Sequence, residues 1–132
     1  MPAPNPDATP ITTIDNDFTI TGVSYQDATV SSIFADTDGP TITFNLTAAN
    51  WHQVTLGGNR TLAVSNVLVG QQFTISLVQD ATGSRTVTWF SGIRWAGGSP
   101  PTLTTTAGKA DVFTFKAVSP TSFYGFISGQ NV

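Results

Sequence analysis

The side chains able to exchange protons or attack an electrophile are few in this sequence: one histidine, His52, eight acids that are all aspartate, and no cysteine. Catalysis by either route needs such groups in a defined constellation. His52 follows Trp51 in a strand-like stretch, and no spacing supplies it with a metal or triad partner, so it reads as a half-exposed strand residue. No serine sits in a Gly-x-Ser-x-Gly elbow. A carboxylate pair for glycoside hydrolysis could come only from distant positions such as Asp80 and Asp111, which read instead as a turn and a strand entry. Asp36-Thr37-Asp38-Gly39 begins as a calcium loop does, with carboxylates at alternate positions before a glycine. Pro40 and the run Thr41 to Leu46 replace the rest of such a loop, so a hairpin turn is expected there, and Asp15 and Asp17 are read in the same way. The expectation is a protein that is not an enzyme, with no catalytic residue, no metal site and no cofactor.

Binding chemistry is better represented. Sugars stack on exposed aromatic faces ringed by amides and hydroxyls, and Trp51, Trp89, Trp95, Tyr25 and Tyr124 are available for that. Trp89 falls in phase with Val87 and is expected in the core. Trp95, in the glycine-rich loop Gly92 to Gly98, and Tyr124 are the candidate glycan contacts. The 132-residue chain is only 10% charged with a net charge of −3, against about 25% charged residues in an ordinary domain. Serine and threonine make up a quarter of it, so hydroxyl groups carry much of the surface polarity. The five bases, Arg60, Arg85, Arg94, Lys109 and Lys116, make no patch fit to neutralise a run of phosphates, which argues against nucleic acid as a partner. No apolar run approaches the roughly 20 residues that cross a bilayer, which argues against a membrane partner. The start, Met1-Pro2-Ala3-Pro4-Asn5-Pro6-Asp7, has neither the basic nor the apolar region of a signal peptide, so synthesis in a cytoplasm is expected. The sequons at Asn45 and Asn59 are then expected to stay unmodified.

The elements that must position these residues follow from spacing. One domain is expected, and a chain of this length can bury a core without disulfides. Residues 1–16 hold Pro2, Pro4, Pro6 and Pro10, which favour extended backbone and make this segment an arm. Such an arm either folds back on its own domain or docks on a neighbouring subunit, with these four prolines and Ile11 as the contacts. Residues 17–132 are poor in helix formers and rich in Thr, Val, Phe and Ile. Apolar residues alternate in Thr41 to Leu46, Gln72 to Val78, Arg85 to Phe90 and Asp111 to Val118. Further strands are expected at Phe18 to Val23, Ala28 to Ala35, Trp51 to Leu56, Thr61 to Val64 and Ser122 to Ser128. Ser91 to Ala107, with its glycines and paired prolines, reads as the longest irregular connection. About eight short strands with frequent turns imply an all-β fold, an antiparallel sandwich of jelly-roll type, without an internal repeat of fixed period.

One stretch carries a resemblance. Gln79-Asp80-Ala81-Thr82-Gly83-Ser84-Arg85-Thr86-Val87-Thr88-Trp89, followed by Trp95-Ala96-Gly97-Gly98 and Pro101-Thr102-Leu103-Thr104, is similar to a β-sandwich module of tailed-bacteriophage structural proteins. Those proteins include capsid decoration proteins and tail fibre or receptor-binding proteins, and the likeness spans about residues 50–128. It implies a virion component and supplies no catalytic residue. Physically, Asp80 can accept bonds within a turn closed by Gly83 while Arg85 reaches back to it, giving a rigid hairpin that leads to Trp89. Gly97, Gly98 and Pro101 can hold Trp95 as a plug over one end of the sheets. The short layout, one sandwich and an arm, favours a capsid decoration or cement protein. It would bind the major capsid protein on the outside of the head as an oligomer, by resemblance a trimer, and stabilise the shell by mass action. The alternative is a tail fibre or receptor-binding module that recognises host-surface glycan through Trp95 or Tyr124.

Overall fold

The computed structural model of the chain describes residues 32–132. The arm with Pro2, Pro4, Pro6, Pro10 and Ile11, the strand at Phe18 to Val23, Tyr25, and the Asp15 and Asp17 turns lie outside these residues. The described part is all-β: β1 (Ile33–Ala35), β2 (Thr41–Asn45), β3 (Trp51–Leu56), β4 (Arg60–Ser65), β5 (Gln72–Gln79), β6 (Val87–Thr88), β7 (Ile93–Trp95), β8 (Ala110–Ser119) and β9 (Ser122–Gly129). Alternation places most of them. In β3, His52, Val54 and Leu56 point inward while Gln53 and Thr55 face solvent. In β8, Asp111, Phe113, Phe115 and Ala117 are buried in the same rhythm.

The strands form a six-stranded sheet in the order β1-β3-β5-β8-β9-β7 and a three-stranded sheet in the order β2-β4-β6. From β1 to β6 the chain changes sheet at every strand, so it winds as a coil. Each strand pairs in parallel with the one two places further on: β1 with β3, β3 with β5, β2 with β4 and β4 with β6. Parallel neighbours need a crossover of a dozen or more residues, and here the strand in the opposite sheet is that crossover. The winding ends at β8, which runs antiparallel to β5 and turns at Pro120-Thr121 into β9. Strand β7 closes the far edge, parallel to β9.

The antiparallel, jelly-roll-like order expected from the sequence is therefore corrected, because among the described residues only two of the seven strand pairings are antiparallel. Period-two alternation tells which face of a strand is apolar and is silent on the direction of its neighbour. The turns at Asp36 to Pro40 and Asp80 to Arg85, where hairpins were expected, are likewise corners between two sheets, as is the turn at Gly57 to Asn59. The coil also explains why no fixed period is visible. Ile33 is opposite Trp51 and Trp51 opposite Thr74, a step of 18 and then 23 residues. On the other sheet Thr41, Thr61 and Thr88 are aligned, a step of 20 and then 27.

The core lies between the sheets, with Ile42, Phe44 and Leu62 from the small one facing Val54, Leu56, Ile75 and Leu77 from the large one. Beyond the edge strand β6 the small sheet stops, and rings take over. Phe73, Phe90, Phe113, Phe115 and Phe123 are buried together, with Trp89 and Trp95 packed against them. Aromatic edges meet faces at many contacts of this cluster, for instance Trp89 and Phe113 with centroids 4.8 Å apart at 80°, while Phe73 and Phe115 stack at 5.2 Å. That geometry suits ring quadrupoles.

His52 is another correction, being fully buried where a half-exposed residue was expected. Its phase with Val54 and Leu56 sends it inward, between Phe34 and Phe44. Both ring nitrogens face oxygens: Nδ1 is 2.8 Å from Asp36 Oδ2 and Nε2 is 3.1 Å from the Ala49 carbonyl. The ring thus donates at Nε2 and shares a proton with Asp36 at Nδ1, which satisfies a histidine that water cannot reach. Burial holds the Asp36 carboxyl above its ordinary range, with the His52 hydrogen bond pulling the other way.

Candidate functional site

The corner between β5 and β6 is built by two side chains. Asp80 Oδ1 accepts from the backbone N–H of Thr82 at 3.1 Å and of Gly83 at 3.0 Å, closing the turn. Arg85 forks onto the same carboxylate, Nε to Oδ1 at 3.1 Å and Nη2 to Oδ2 at 2.8 Å. Arg60, at the corner between β3 and β4, forms a second such fork onto Asp38 of the β1–β2 corner, with Nε to Oδ1 at 2.8 Å and Nη2 to Oδ2 at 2.6 Å. The Asn59 carboxamide then accepts from the Thr86 N–H at 3.0 Å and so links the β3–β4 corner to the next coil.

The guanidinium of Arg85, together with the turn amides, holds the Asp80 carboxyl down to about 2 from its ordinary 3.8. A depressed acid stabilises the fold above its unfolded value and loses that contribution as pH falls through the folded one. The melting temperature of the native chain minus that of Asp80→Asn is therefore expected to be positive and flat above about pH 4 and to shrink toward pH 2. Melts of both proteins across that range check it. A difference independent of pH would mean that the pair contributes nothing.

Gln79, which opens the motif but was given no role from the sequence, ties this corner to the long connection 96–109. Its Nε2 donates to the carbonyls of Thr104 at 2.8 Å and Arg85 at 3.0 Å, and its Oε1 accepts from the Arg85 N–H at 2.9 Å. Asp111 works beside it, buried in β8, with Oδ2 accepting from Thr104 N–H at 2.6 Å and Oδ1 from Asn131 N–H at 2.9 Å. The signal for both was phase. Gln79 continues Phe73, Ile75 and Leu77 inward, and Asp111 precedes Phe113 and Phe115 on the same face. Asp111 is thus a buried anchor rather than a partner for Asp80, since each carboxylate is spent on its own backbone amides.

Between β6, β7 and the connection so anchored lies an open cleft of about 740 Å³. Trp89, Ile93, Trp95, Pro100, Pro101 and Leu103 give it apolar walls, and Thr86, Thr88, Ser91, Thr102 and Thr105 add hydroxyls. Arg85 borders it with its guanidinium engaged by Asp80. Trp89 and Trp95 meet at a centroid distance of 5.0 Å. Trp89 is half-buried against the core, and Trp95 is half-buried too, so each keeps one part of its ring accessible. Gly97 and Gly98 turn the chain out of β7, with Gly98 N–H donating to the Trp95 carbonyl at 2.9 Å. Trp95 lies over Gly125, where an added Cβ would come within 2.9 Å of its ring. Trp95 and Pro101 also border a smaller apolar recess of about 400 Å³ beside Phe126 and Ile127.

The cleft unites Arg85, Trp89, Trp95, Gly98 and Pro101 of the residues singled out in the sequence. It does not include Tyr124. The register pairs Trp95 with Gly125 and Arg94 with Tyr124, so Trp95 faces the core side of the large sheet and Tyr124 its outer side. The sequence could not separate them, because Ser91 to Ala107 reads as irregular and the edge strand β7 inside it is fixed only by its pairing with β9. Trp51 also lies on the outer side, its indole Nε1 donating to Ser76 Oγ at 2.8 Å. Among the described residues no group of three or more metal-ligating side chains converges.

A cleft lined by aromatic and hydroxyl groups is equipped to hold a ligand. Residues 36–116, more than half of the chain, match the family model described as "Putative phage tail fibre C-terminal domain", and the chain belongs to that family. It is accordingly a structural component of the phage virion. No curated protein and no solved structure matches the chain significantly. The family stretch runs from the end of β1 into β8 and so includes both corner forks, the whole cleft and its anchors Gln79 and Asp111.

Proposed function

We propose that this domain recognises the host cell for a phage tail fibre by binding a surface saccharide in the Trp89–Trp95 cleft. The observation that carries the reading is the cleft's lining, two tryptophans and two prolines among threonine and serine hydroxyls. Pyranose rings present a C–H face to an aromatic ring and hydroxyls to the rim, which is the chemistry such a lining accepts. The family match favours this tail-fibre reading over the capsid-decoration role that size alone suggested. With it, the expected partner changes from the major capsid protein to the host surface. A trimer, carried over from the resemblance, would present three clefts and raise avidity without new contacts.

The test is a glycan array probed with the full chain, followed by titration of the best binder using tryptophan fluorescence. Trp95→Ala is expected to weaken binding about tenfold, the size of one lost stacking contact. Gly125→Ala, which displaces the same ring from below, is expected to act in the same direction. Absence of any saccharide binding, or binding indifferent to both changes, would overturn the reading.

A further inference from the structure

We infer that the outer face of the six-stranded sheet holds a second binding site, for saccharides that carry carboxylate or phosphate groups, centred on Tyr124 between Arg94 and Lys116. The cross-strand register builds it. Tyr124 of β9 is paired on one side with Arg94 of β7 and on the other with Lys116 of β8, and Lys116 is paired in turn with Gln72 of β5. These four positions form one row across four adjacent strands. All four are exposed, while Phe73, Phe115, Ala117 and Phe123 next to them along β5, β8 and β9 are buried, so the row faces outward. Neighbouring strands lie about 4.8 Å apart, which puts two long cationic side chains within reach of one anion above the tyrosine ring.

The distribution of charge over the molecule strengthens the assignment. Arg60 and Arg85 are consumed in bidentate pairs with Asp38 and Asp80. Of the other bases, Arg94, Lys109 and Lys116, none has a salt bridge among the described residues, and two of the three flank Tyr124. The described carboxylates are all engaged elsewhere: Asp36 by His52, Asp38 and Asp80 by arginines, Asp111 by backbone amides inside the core. Among the described residues, then, no carboxylate pairs with the two cations on this sheet face.

The face also offers the apolar half of a sugar site. Phe126, two residues along β9, is 40% exposed beside Tyr124 at 42%. A pyranose can lie on this aromatic pair while its acid group takes charge-assisted bonds from Arg94 or Lys116. Gln72 supplies an amide for hydroxyls at the far end of the row. Tyr124 and Phe126 lie beyond the stretch that matches the tail-fibre family, which ends at Lys116. That the anion belongs to a saccharide rests on the proposed glycan-binding role; the cationic row itself does not.

Three probes separate the possibilities: oligogalacturonate for carboxylate, phosphomannan for phosphate and dextran as the neutral control, each titrated against the full chain. The native protein is expected to bind at least one acidic probe with an affinity that falls steeply with salt, as exposed charges require. The double change Arg94→Gln with Lys116→Gln is expected to weaken that binding about tenfold, with an unchanged melting temperature and unchanged binding at the Trp95 cleft. Trp95→Ala is expected to leave acidic binding intact. Tyr124→Ala, which leaves both cations in place, is expected to weaken it by loss of the ring.

Acidic probes that bind no better than dextran, or that bind the double variant equally well, would overturn the inference while leaving the cleft reading standing. Binding of no probe and no array glycan would sink both. A fall in molecular mass of the double variant, with saccharide binding unaffected, would overturn it by showing that a second copy of the chain covers this face.

Discussion

Gly92→Ala is expected to destabilise the native fold more than any other single change considered. Gly92 lies in the turn from β6 to β7 with φ at +86°, a conformation that L side chains avoid. A Cβ placed there would run into the Thr121 carbonyl oxygen, a rigid backbone atom at the tip of the β8–β9 hairpin. The same turn is held by a hydrogen bond from Phe123 N–H to the Gly92 carbonyl at 2.9 Å, so it cannot withdraw without breaking that link. Domains of this kind are stable by about 5–15 kcal/mol, and a forced backbone shift under the aromatic cluster is expected to remove more than about 3 kcal/mol of it. Gly70→Ala is the control. Gly70 has the same φ of +86° but nothing within 4 Å of the added Cβ, so only the backbone cost of about 1–2 kcal/mol applies. Urea unfolding of both variants checks the contrast, and equal losses would show that the Thr121 contact yields easily.

Phe115→Ala has the next largest expected effect. Its ring is fully buried and touches four others: Phe73 at 5.2 Å, Phe90 at 5.4 Å, Trp95 at 5.5 Å and Trp89 at 5.7 Å between centroids. Truncation removes the transfer free energy of the ring and leaves a cavity that rigid aromatic neighbours cannot fill, which together cost about 3–5 kcal/mol. The denaturation midpoint should fall without a change in slope. Because Trp89 and Trp95 rest on this ring, saccharide affinity of the still-folded protein should fall as well. A variant that loses stability but keeps full affinity would show that the cleft is held by its hydrogen bonds to Gln79 and Asp111 alone. This coupling connects the core to the site, since one phenylalanine supports both tryptophans from below.

Much of this arrangement is legible in the chain itself. The bounds Trp51 to Leu56 coincide with β3, the alternations Gln72 to Val78 and Asp111 to Val118 fall within β5 and β8, and Thr41 to Leu46 overruns β2 by one residue. Carboxylate, glycine and arginine at Asp80, Gly83 and Arg85 specify a turn by local hydrogen bonding, which needs no distant partner. Phase alone also points His52, Gln79 and Asp111 inward, although His52 and Asp111 were read by their polarity instead. A polar side chain in an apolar phase is buried when the fold brings it a partner, and those partners come from elsewhere in the chain: Asp36, the Thr104 amide and carbonyl, and the Asn131 amide.

The sequence by itself determined that this protein is all-β, which faces of its strands are apolar and where the chain must turn, because period, β-branching and turn chemistry act between near neighbours. Only the tertiary structure decided that the strands wind in parallel between two sheets, that Trp89 and Trp95 open onto one cleft, and that Tyr124 stands on the opposite face between Arg94 and Lys116. Those outcomes depend on which edge meets which. Strand pairing is set by backbone hydrogen bonds common to every residue, so the choice of partner and direction rests on how the whole set of side chains fills one core.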